Sequence, residues 1–280
     1  MLLPMINGST QVYGIIGDPI SHSFSPQMHT AAFWDIGFNG VYLPFPISAV
    51  DLPQLLPALQ LMSVQGFNVT VPYKEQIIPY LDQLSETAQV LGSVNTVIRK
   101  NGQWFGHSTD GIGFLRGLEQ KGWPVQSQRI LVLGAGGSAK AISYALLKAG
   151  AAKVDLQNRD QAKAESWSAT LRQHFEAVRV GTKKSGSYDL LVNCTSVGLK
   201  SAETPMKKED LAQFPKVIDI IYNPAKTQLL LDAESAGLEW DNGLSMLLFQ
   251  GVESFELWTQ KKAPLEVMRQ SLQQQIGAGT

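Results

Sequence analysis

The chain has 280 residues, of which 44% are hydrophobic and 17% charged, a length and composition typical of a globular protein with two domains. Its 23 lysine and arginine residues nearly balance its 24 aspartate and glutamate residues, so the sequence has no charge excess suited to nucleic acid or to an anionic membrane. No segment is apolar for long enough to cross a bilayer, and the only cysteine, Cys194, excludes an intramolecular disulfide. We therefore expect a cytoplasmic protein, monomeric or homodimeric, whose partner is a small molecule and not nucleic acid or a membrane.

Short apolar runs alternate with helical patterns through the first hundred residues. The pattern predicts strands at 12–17, 40–43 and 66–70, helices at 26–36, 50–61 and 75–81, and a β-rich stretch at 94–104 that turns at Asn101-Gly102. Because strand, helix and strand follow one another, we expect an open and mostly parallel α/β sheet.

A second α/β layer is predicted after a helix at 110–121, which Gly122 and Pro124 end. Its strands are predicted at 130–133, 153–157, 189–193 and 217–221, and its helices after Gly137, at 161–174 and at 227–236. This order is the doubly wound, parallel-sheet pattern of a Rossmann domain. A final helix at 244–261 is expected to return to the first domain. The predicted domains are therefore 1–110, completed by 244–280, which would bind the substrate, and 111–243, which would bind a dinucleotide.

The predicted strand at 130–133 runs into a turn with the spacing Gly134-x-Gly136-x-x-Ala139. In such a turn the backbone N–H groups and the start of the following helix face the pyrophosphate of a dinucleotide. Two glycines can also serve helix packing alone, but here the strand, turn, helix and next strand occur in order. We therefore predict that the cofactor is held by Gly134, Ala135, Gly136, Gly137, Ser138 and Ala139.

The residues expected to hold the cofactor ribose follow the next predicted strand, about twenty residues beyond the glycines, and are Asn158, Arg159 and Asp160. The guanidinium of Arg159 suits the 2′-phosphate of NADP, and Lys163 adds positive charge one turn later. Asp160 would repel that phosphate if it faced it, but it would turn away if it capped the next helix. Both roles of Asp160 are open, so we predict NADP, with NAD as the alternative.

Further cofactor candidates follow other strands, because ligands of doubly wound sheets bind at the carboxyl ends of the strands. Thr195 follows the predicted strand at 189–193, and Tyr222 follows the one at 217–221. Gly243, just before the final helix, is assigned to the cofactor site as well. Thr195 and Tyr222 could instead belong to ordinary turns.

A lysine and an aspartate are suited to acid/base chemistry. Lys74 ends the stretch Asn68-Val69-Thr70-Val71-Pro72-Tyr73-Lys74, and Asp110 lies in Ser108-Thr109-Asp110-Gly111. An ammonium can protonate a developing alkoxide while a carboxylate holds the ammonium and a substrate hydroxyl, as hydride transfer to a carbonyl requires. Taken singly, each residue is more often a surface charge or a turn former. The four histidines are scattered, so we expect no metal site and no Ser-His-Asp triad.

Six motifs occur in the order found in shikimate dehydrogenases, and the chain resembles that family over nearly its whole length. They are Ser21-His22-Ser23-Phe24-Ser25-Pro26, residues 68–74, Gly92-Ser93-Val94-Asn95-Thr96, residues 108–111, Gly134-Ala135-Gly136-Gly137, and Gln250-Gly251. The resemblance implies reduction of 3-dehydroshikimate to shikimate with NADPH, with Lys74 and Asp110 as the catalytic pair. It also implies that the substrate is bound by Ser23, Ser25, Thr70, Asn95, Tyr222 and Gln250. The chain departs from the family at Ser93, where alanine is usual, and at Asp160, where threonine is usual.

Two other functions are consistent with the sequence. An NAD-preferring quinate/shikimate dehydrogenase of the same fold is favoured by Asp160 and opposed by Arg159. A non-catalytic relative that binds the metabolite or nucleotide and regulates other proteins is opposed by Lys74 and Asp110, because a sensor needs no acid/base pair.

Overall fold

The computed structural model describes residues 6–175, 179–181 and 186–278. The protein divides into two compact units. The first contains the chain up to Thr109 and again from Gln250 onward, and the second runs from Asp110 to Phe249. Each unit contains a six-stranded sheet flanked by helices, so the mixed α/β fold class predicted from the sequence is confirmed.

The sheet of the first unit has the strand order β2-β1-β3-β5-β6-β4. Its strands are β1 (Gln11–Gly17), β2 (Gly40–Pro46), β3 (Val64–Val69), β4 (Gln83–Leu84), β5 (Thr96–Lys100) and β6 (Gln103–His107). Its helices are α1 (Ser25–Asp35), α2 (Leu52–Leu61), α3 (Glu86–Leu91) and α10 (Leu265–Ala278), with 3-10 helices at Ala49–Asp51 and Ile78–Tyr80. Strand β1 is parallel to β2 and β3, but β5 is antiparallel to both β3 and β6. The sheet is therefore mixed, but five of its six strands run in the same direction, so it is mostly parallel as predicted.

The hairpin turn of the first unit was predicted correctly, whereas two helices were not. Asn101 and Gly102 have the positive φ angles, 52° and 79°, that a tight turn between antiparallel strands requires. The helix predicted at 75–81 is wrong: only Ile78–Tyr80 forms a short 3-10 helix, because Pro79 has no N–H with which to continue α-helical hydrogen bonding. Helix α3 was not predicted, although Ser85 caps its start and Gly92 ends it at a φ of 55°.

All strands of the second unit pair in parallel, in the order β12-β11-β10-β7-β8-β9. They are β7 (Arg129–Leu133), β8 (Lys153–Gln157), β9 (Arg179–Gly181), β10 (Leu190–Asn193), β11 (Lys216–Asp219) and β12 (Glu239–Asn242). The helices are α4 (Asp110–Lys121), α5 (Gly137–Lys148), α6 (Gln161–His174), α7 (Lys208–Leu211) and α8 (Gln228–Ser235). The doubly wound pattern is confirmed, with β9, β12 and α7 as elements that the sequence pattern did not predict.

Helix α9 (Leu244–Thr259) carries the chain from the second unit back into the first. Its Trp258 lies over the first sheet, where the indole N–H donates to the carbonyl of Val97 at 2.9 Å. A side chain at Gly66 would come within 2.5 Å of that indole, so the glycine lets the helix approach β3. The helix ends two residues earlier than predicted, and α10, which packs against α1, was not predicted.

Each sheet packs against helices through buried aliphatic side chains. In the first unit, Leu56 and Leu59 of α2 join Phe67 and Val69 of β3 in one apolar cluster. In the second unit, the strands β7, β10 and β11 pack similarly against α8. Among the described residues, no helix has both the length and the apolarity required to cross a membrane.

A neutral histidine is buried in the first unit. His29 of α1 is fully buried and stacks on Tyr42, with ring centroids 4.6 Å apart. Neither ring nitrogen has a hydrogen-bond partner among the described residues, and burial lowers the pKa of His29 to about 3. Because the imidazole of the unfolded chain titrates near its ordinary pKa of about 6.5, the unfolded state binds the extra proton below that pH.

We expect the free energy of unfolding to decrease as the pH falls from about 6.5 toward 3, by up to roughly 1.4 kcal/mol per pH unit from this residue alone. His29→Phe should remove that contribution. Urea unfolding at pH 7, 5.5 and 4.5 would measure it, with the exposed His22→Phe as the control that keeps the original pH dependence. An unchanged pH dependence in the His29 variant would contradict this assignment.

Candidate active site

The predicted substrate residues of the first unit gather at one edge of its sheet. The carboxyl ends of β1 and β3 meet there because the two strands are parallel. Strand β5 begins and β6 ends at the same edge, because β5 is antiparallel to both of its neighbours. Ser23 and Ser25 follow β1, Thr70 and Lys74 follow β3, and Asn95 immediately precedes β5.

The loops after β1 and β3 are joined through their backbones. Asp18 N–H donates to the carbonyl of Val71 at 3.2 Å. A Cβ at Gly17 would lie 2.4 Å from Cγ2 of Thr70, so only a glycine permits this approach of the two loops. The positions of Thr70 and of the residues after it are therefore set by β1 as well as by β3.

The two serines form a turn at the start of α1. Ser23 Oγ accepts a hydrogen bond from Ser25 N–H at 3.3 Å, and Ser25 is buried as the first helical residue. The N-cap position itself is Phe24, which supplies no capping side chain. Neither serine therefore occupies the N-cap position of this helix.

Lys74 is half-buried on a turn that is held on both sides. Its carbonyl accepts a hydrogen bond from Val94 N–H at 2.8 Å. The preceding side chain, Tyr73, is buried and donates its hydroxyl to the carbonyl of Ile47 at 2.8 Å. These contacts fix the backbone from which the ammonium extends.

The buried side chain of Asn95 joins the two points at which the chain leaves and re-enters the first unit. Its Oδ1 accepts a hydrogen bond from Thr109 N–H at 2.7 Å, and its Nδ2 donates to Thr109 Oγ1 at 2.9 Å and to Gln250 Oε1 at 3.3 Å. Because a backbone N–H can only donate, the orientation of the Asn95 amide is determined, and that of Gln250 follows from it. Thr109 was not predicted as a site residue.

A second layer of polar side chains lies behind Asn95. All are buried, and each is hydrogen-bonded to another member of the layer: Tyr42, Asn68, Thr96 and Ser254. The sequence analysis did not assign a role to any of them, although Asn68 and Thr96 lie inside the recognised motifs. Nothing in the sequence distinguishes Ser254, because it is one of several polar residues in an amphipathic helix.

The cofactor candidates of the second unit also gather at one edge, the carboxyl edge of its parallel sheet. Gly134 follows β7, Asn158 follows β8, Thr195 follows β10, Tyr222 follows β11 and Gly243 follows β12. The strand order reverses direction between β7 and β10, and the crevice at such a reversal is where doubly wound sheets bind ligands.

The glycine-rich turn has the geometry that a dinucleotide requires. Gly134 has a φ of 116°, and a Cβ there would lie 3.2 Å from the carbonyl of Cys194. Gly136 is the N-cap of α5, has open space where a side chain would project, and supplies no capping side chain. The N–H groups at the start of α5 therefore suit a phosphate group. Cys194 itself is half-buried.

Thr195 is oriented by two residues that the sequence analysis missed. Asn193 Oδ1 accepts from both the N–H and the hydroxyl of Thr195, at 3.0 and 2.8 Å. Asn193 Nδ2 in turn donates to Asp219 at 3.1 Å, and Thr227 donates to the same carboxylate at 2.7 Å. Burial raises the pKa of Asp219, and these hydrogen bonds oppose the shift. Only the fold brings Asn193 and Asp219 together, from adjacent parallel strands.

The local structure explains the residues at two other predicted positions, Gly243 and Asp160. A Cβ at Gly243 would lie only 1.8 Å from the carbonyl of Ile220, so the end of β11 leaves no space for a side chain there. Asp160 is the N-cap of α6, and its carboxylate accepts a hydrogen bond from Lys163 N–H at 3.3 Å. Of the two roles left open for Asp160, the structure has the capping one. Arg159 and the Lys163 side chain are exposed beside it.

Comparisons with known proteins show the family of this chain. Residues 15–97 match the family described as the shikimate dehydrogenase substrate binding domain, and residues 243–273 match the shikimate 5′-dehydrogenase C-terminal domain. A shikimate dehydrogenase (NADP(+)) of Pyrococcus furiosus is 43% identical over 267 residues, which cover 95% of this chain and 96% of that protein. The chain belongs to the shikimate dehydrogenase family. The resemblance inferred from the six motifs is thereby confirmed.

Solved structures of shikimate dehydrogenases share the fold. One, a complex with NADP+, matches with a TM-score of 0.91 and 35% identity over 99% of both chains. Another, from Thermus thermophilus in complex with NADP(H) and shikimate, has a TM-score of 0.85 and 34% identity over 95% of this chain and 100% of that one. The predicted oxidoreductase class is confirmed by this family membership.

The capping role of Asp160 predicts a stability difference between two substitutions in this family member. Asp160→Ala should lower the free energy of unfolding by about 1 kcal/mol, because α6 loses its cap. Asp160→Asn keeps a side-chain oxygen that can accept the same hydrogen bond, so its stability should match the parent. Chemical denaturation of the three proteins would measure this, and equal losses in both variants would contradict it.

Proposed function

We propose that this chain catalyses the NADP-dependent, reversible reduction of 3-dehydroshikimate to shikimate, in the cytoplasm and as a monomer or homodimer. The strongest structural support is the polar edge of the first unit, where the fixed amide of Asn95 lies among hydroxyl side chains. A polyhydroxylated acid needs many neutral donors and acceptors, and such side chains supply them without burying an unpaired charge.

The proposed substrate site is the carboxyl edge of the first unit, extended by Gln250. Ser23 and Ser25 are proposed to bind the substrate carboxylate, because their turn at the start of α1 carries two hydroxyl groups that can donate to an anion. Thr70, Asn95 and Gln250 are proposed to bind the ring hydroxyls. Tyr222, half-buried after β11, is assigned to orient the substrate from the second unit.

The proposed cofactor site is the carboxyl edge of the second unit. The turn Gly134–Ala139 would hold the pyrophosphate, and Thr195 and Gly243 would line the nicotinamide end. Arg159, with Lys163 and Asn158, would bind the 2′-phosphate of NADP in place of the acidic residue that favours NAD. The cap hydrogen bond of Asp160 supports this choice, because it directs the carboxylate to the backbone of α6. When bound, the nicotinamide supplies or accepts the hydride.

Lys74 and Asp110 are the proposed acid/base pair. The Lys74 ammonium would donate a proton to the oxygen of the substrate ketone as that oxygen gains negative charge, and would take it back in the reverse direction. Asp110, a buried residue at the start of α4, would hold the ammonium and a substrate hydroxyl in place. This pair also separates the proposal from a purely regulatory protein, which needs no proton donor.

Initial rates with shikimate and quinate, each with NADP and NAD, test the proposal. Shikimate with NADP should give the highest kcat/KM. Arg159→Ala should lower kcat/KM for NADP by roughly tenfold or more and leave that for NAD nearly unchanged, because only NADP carries the phosphate. Faster turnover with NAD would favour the quinate/shikimate alternative, and shikimate binding without turnover would favour a regulatory protein.

Lys74→Ala should lower kcat by a factor of roughly 10² or more, because a positioned proton donor is lost. The thermal unfolding temperature should stay close to that of the parent. Lys100→Ala removes an exposed lysine of the same unit and should leave kcat unchanged. A Lys74 variant with parental kcat would exclude this lysine from the mechanism.

A further inference from the structure

One hydroxyl on α9 is bonded to three other segments of the first unit. Ser254 is fully buried and lies one helical turn beyond Gln250. Its Oγ donates to the carbonyl of Gln250 at 2.9 Å, and it lies 3.1 Å from Nδ2 of Asn68 and 2.8 Å from Oγ1 of Thr96. It also lies 3.3 Å from Oγ1 of Thr109. This side chain therefore connects α9 to β3, to β5 and to Thr109, where the chain leaves the first unit.

Which atom donates in each of these hydrogen bonds follows from the groups that take part. The Tyr42 hydroxyl donates to Oδ1 of Asn68 at 2.7 Å, which turns the amide nitrogen of Asn68 toward Ser254. A serine hydroxyl has one hydrogen and two lone pairs. Since the hydrogen goes to the Gln250 carbonyl, Ser254 accepts from Asn68 and from Thr96. All of its hydrogen-bonding capacity is used inside the protein.

The orientation of the Gln250 amide is determined as well. Its Oε1 accepts from Nδ2 of Asn95, so its Nε2, the donor atom of the amide, points away from Asn95. The position of this Nε2 atom depends on the rotation and axial position of α9, because the Gln250 side chain extends from that helix. Two side chains of the helix are hydrogen-bonded to the sheet of the first unit: Ser254, one turn beyond Gln250, and Trp258, one turn further on.

We propose that Ser254 is a positioning residue, which holds α9 so that Gln250 presents its amide N–H to an oxygen of the bound substrate. This inference rests on the proposed function, since it assumes that Gln250 contacts shikimate. It assigns no contact with substrate to Ser254 itself, whose hydroxyl is fully occupied by protein groups.

The first test is the steady-state kinetics of Ser254→Ala. The KM for shikimate should rise by roughly tenfold, the effect of one lost polar contact, while the KM for NADP stays within about twofold of the parent value. Ser143→Ala is the matched control: Ser143 is fully buried on α5, donates to a carbonyl one turn earlier at 2.7 Å, and lies in the other unit. It should leave the KM for shikimate unchanged, even if its unfolding temperature falls.

The second test is a double-mutant cycle with Gln250→Ala. If Ser254 acts through Gln250, adding Ser254→Ala to the Gln250 variant should change the KM for shikimate by less than about twofold. A further tenfold increase would overturn the proposal, as would a Ser254→Ala protein with lowered stability and parental KM. If the alanine variant does not fold, Ser254→Cys replaces it in the test. The cysteine has a similar size but forms weaker hydrogen bonds, so it should also raise the KM for shikimate. Failure of the proposed function itself would be recognised separately, because the parent chain would then not turn over shikimate.

Discussion

Parallel strand pairing is the constraint on which both candidate sites depend. Strands that run in the same direction bring their carboxyl ends to one edge, and the residues that follow each strand directly lie at that edge. In the first unit this places the loops after β1 and β3 side by side, and the antiparallel β5 adds Asn95 to the same edge. In the second unit it collects five separate loops. Strand pairing alone therefore brings together residues that are far apart in the sequence.

The features that could be predicted from the sequence are those with local causes. The Gly134 turn, the Asn101-Gly102 hairpin and the helix carrying Gln250 depend on residues a few positions apart. Helix α3 is too short for a helical repeat to be recognised, and β12 is a polar edge strand without apolar alternation. Pro79, which lacks an N–H, was a local signal, and the helix predicted across it was an avoidable error.

The supporting residues of the site could not be predicted, because their roles arise only from long-range contacts. The hydrogen bond between Asn68 and Ser254 joins residues 186 positions apart, and that between Thr109 and Ser254 joins residues 145 apart. Asn193 and Asp219 likewise meet only because β10 and β11 are adjacent. A buried polar group lowers stability if it is left unpaired. Because these groups are paired, each amide has a single orientation. An unpaired group would be the exception, and His29 is one.

The division of the chain has a consequence for how the protein is made. The second unit is continuous, from Asp110 to Phe249, so a ribosome has released all of it before the first unit is complete. Until the residues from Gln250 onward emerge, Gly66 lacks the indole of Trp258 above it and Asn68 lacks the Ser254 hydroxyl. The second unit can therefore be completed on the ribosome before the first, the reverse of the usual amino-terminal-first order of co-translational folding.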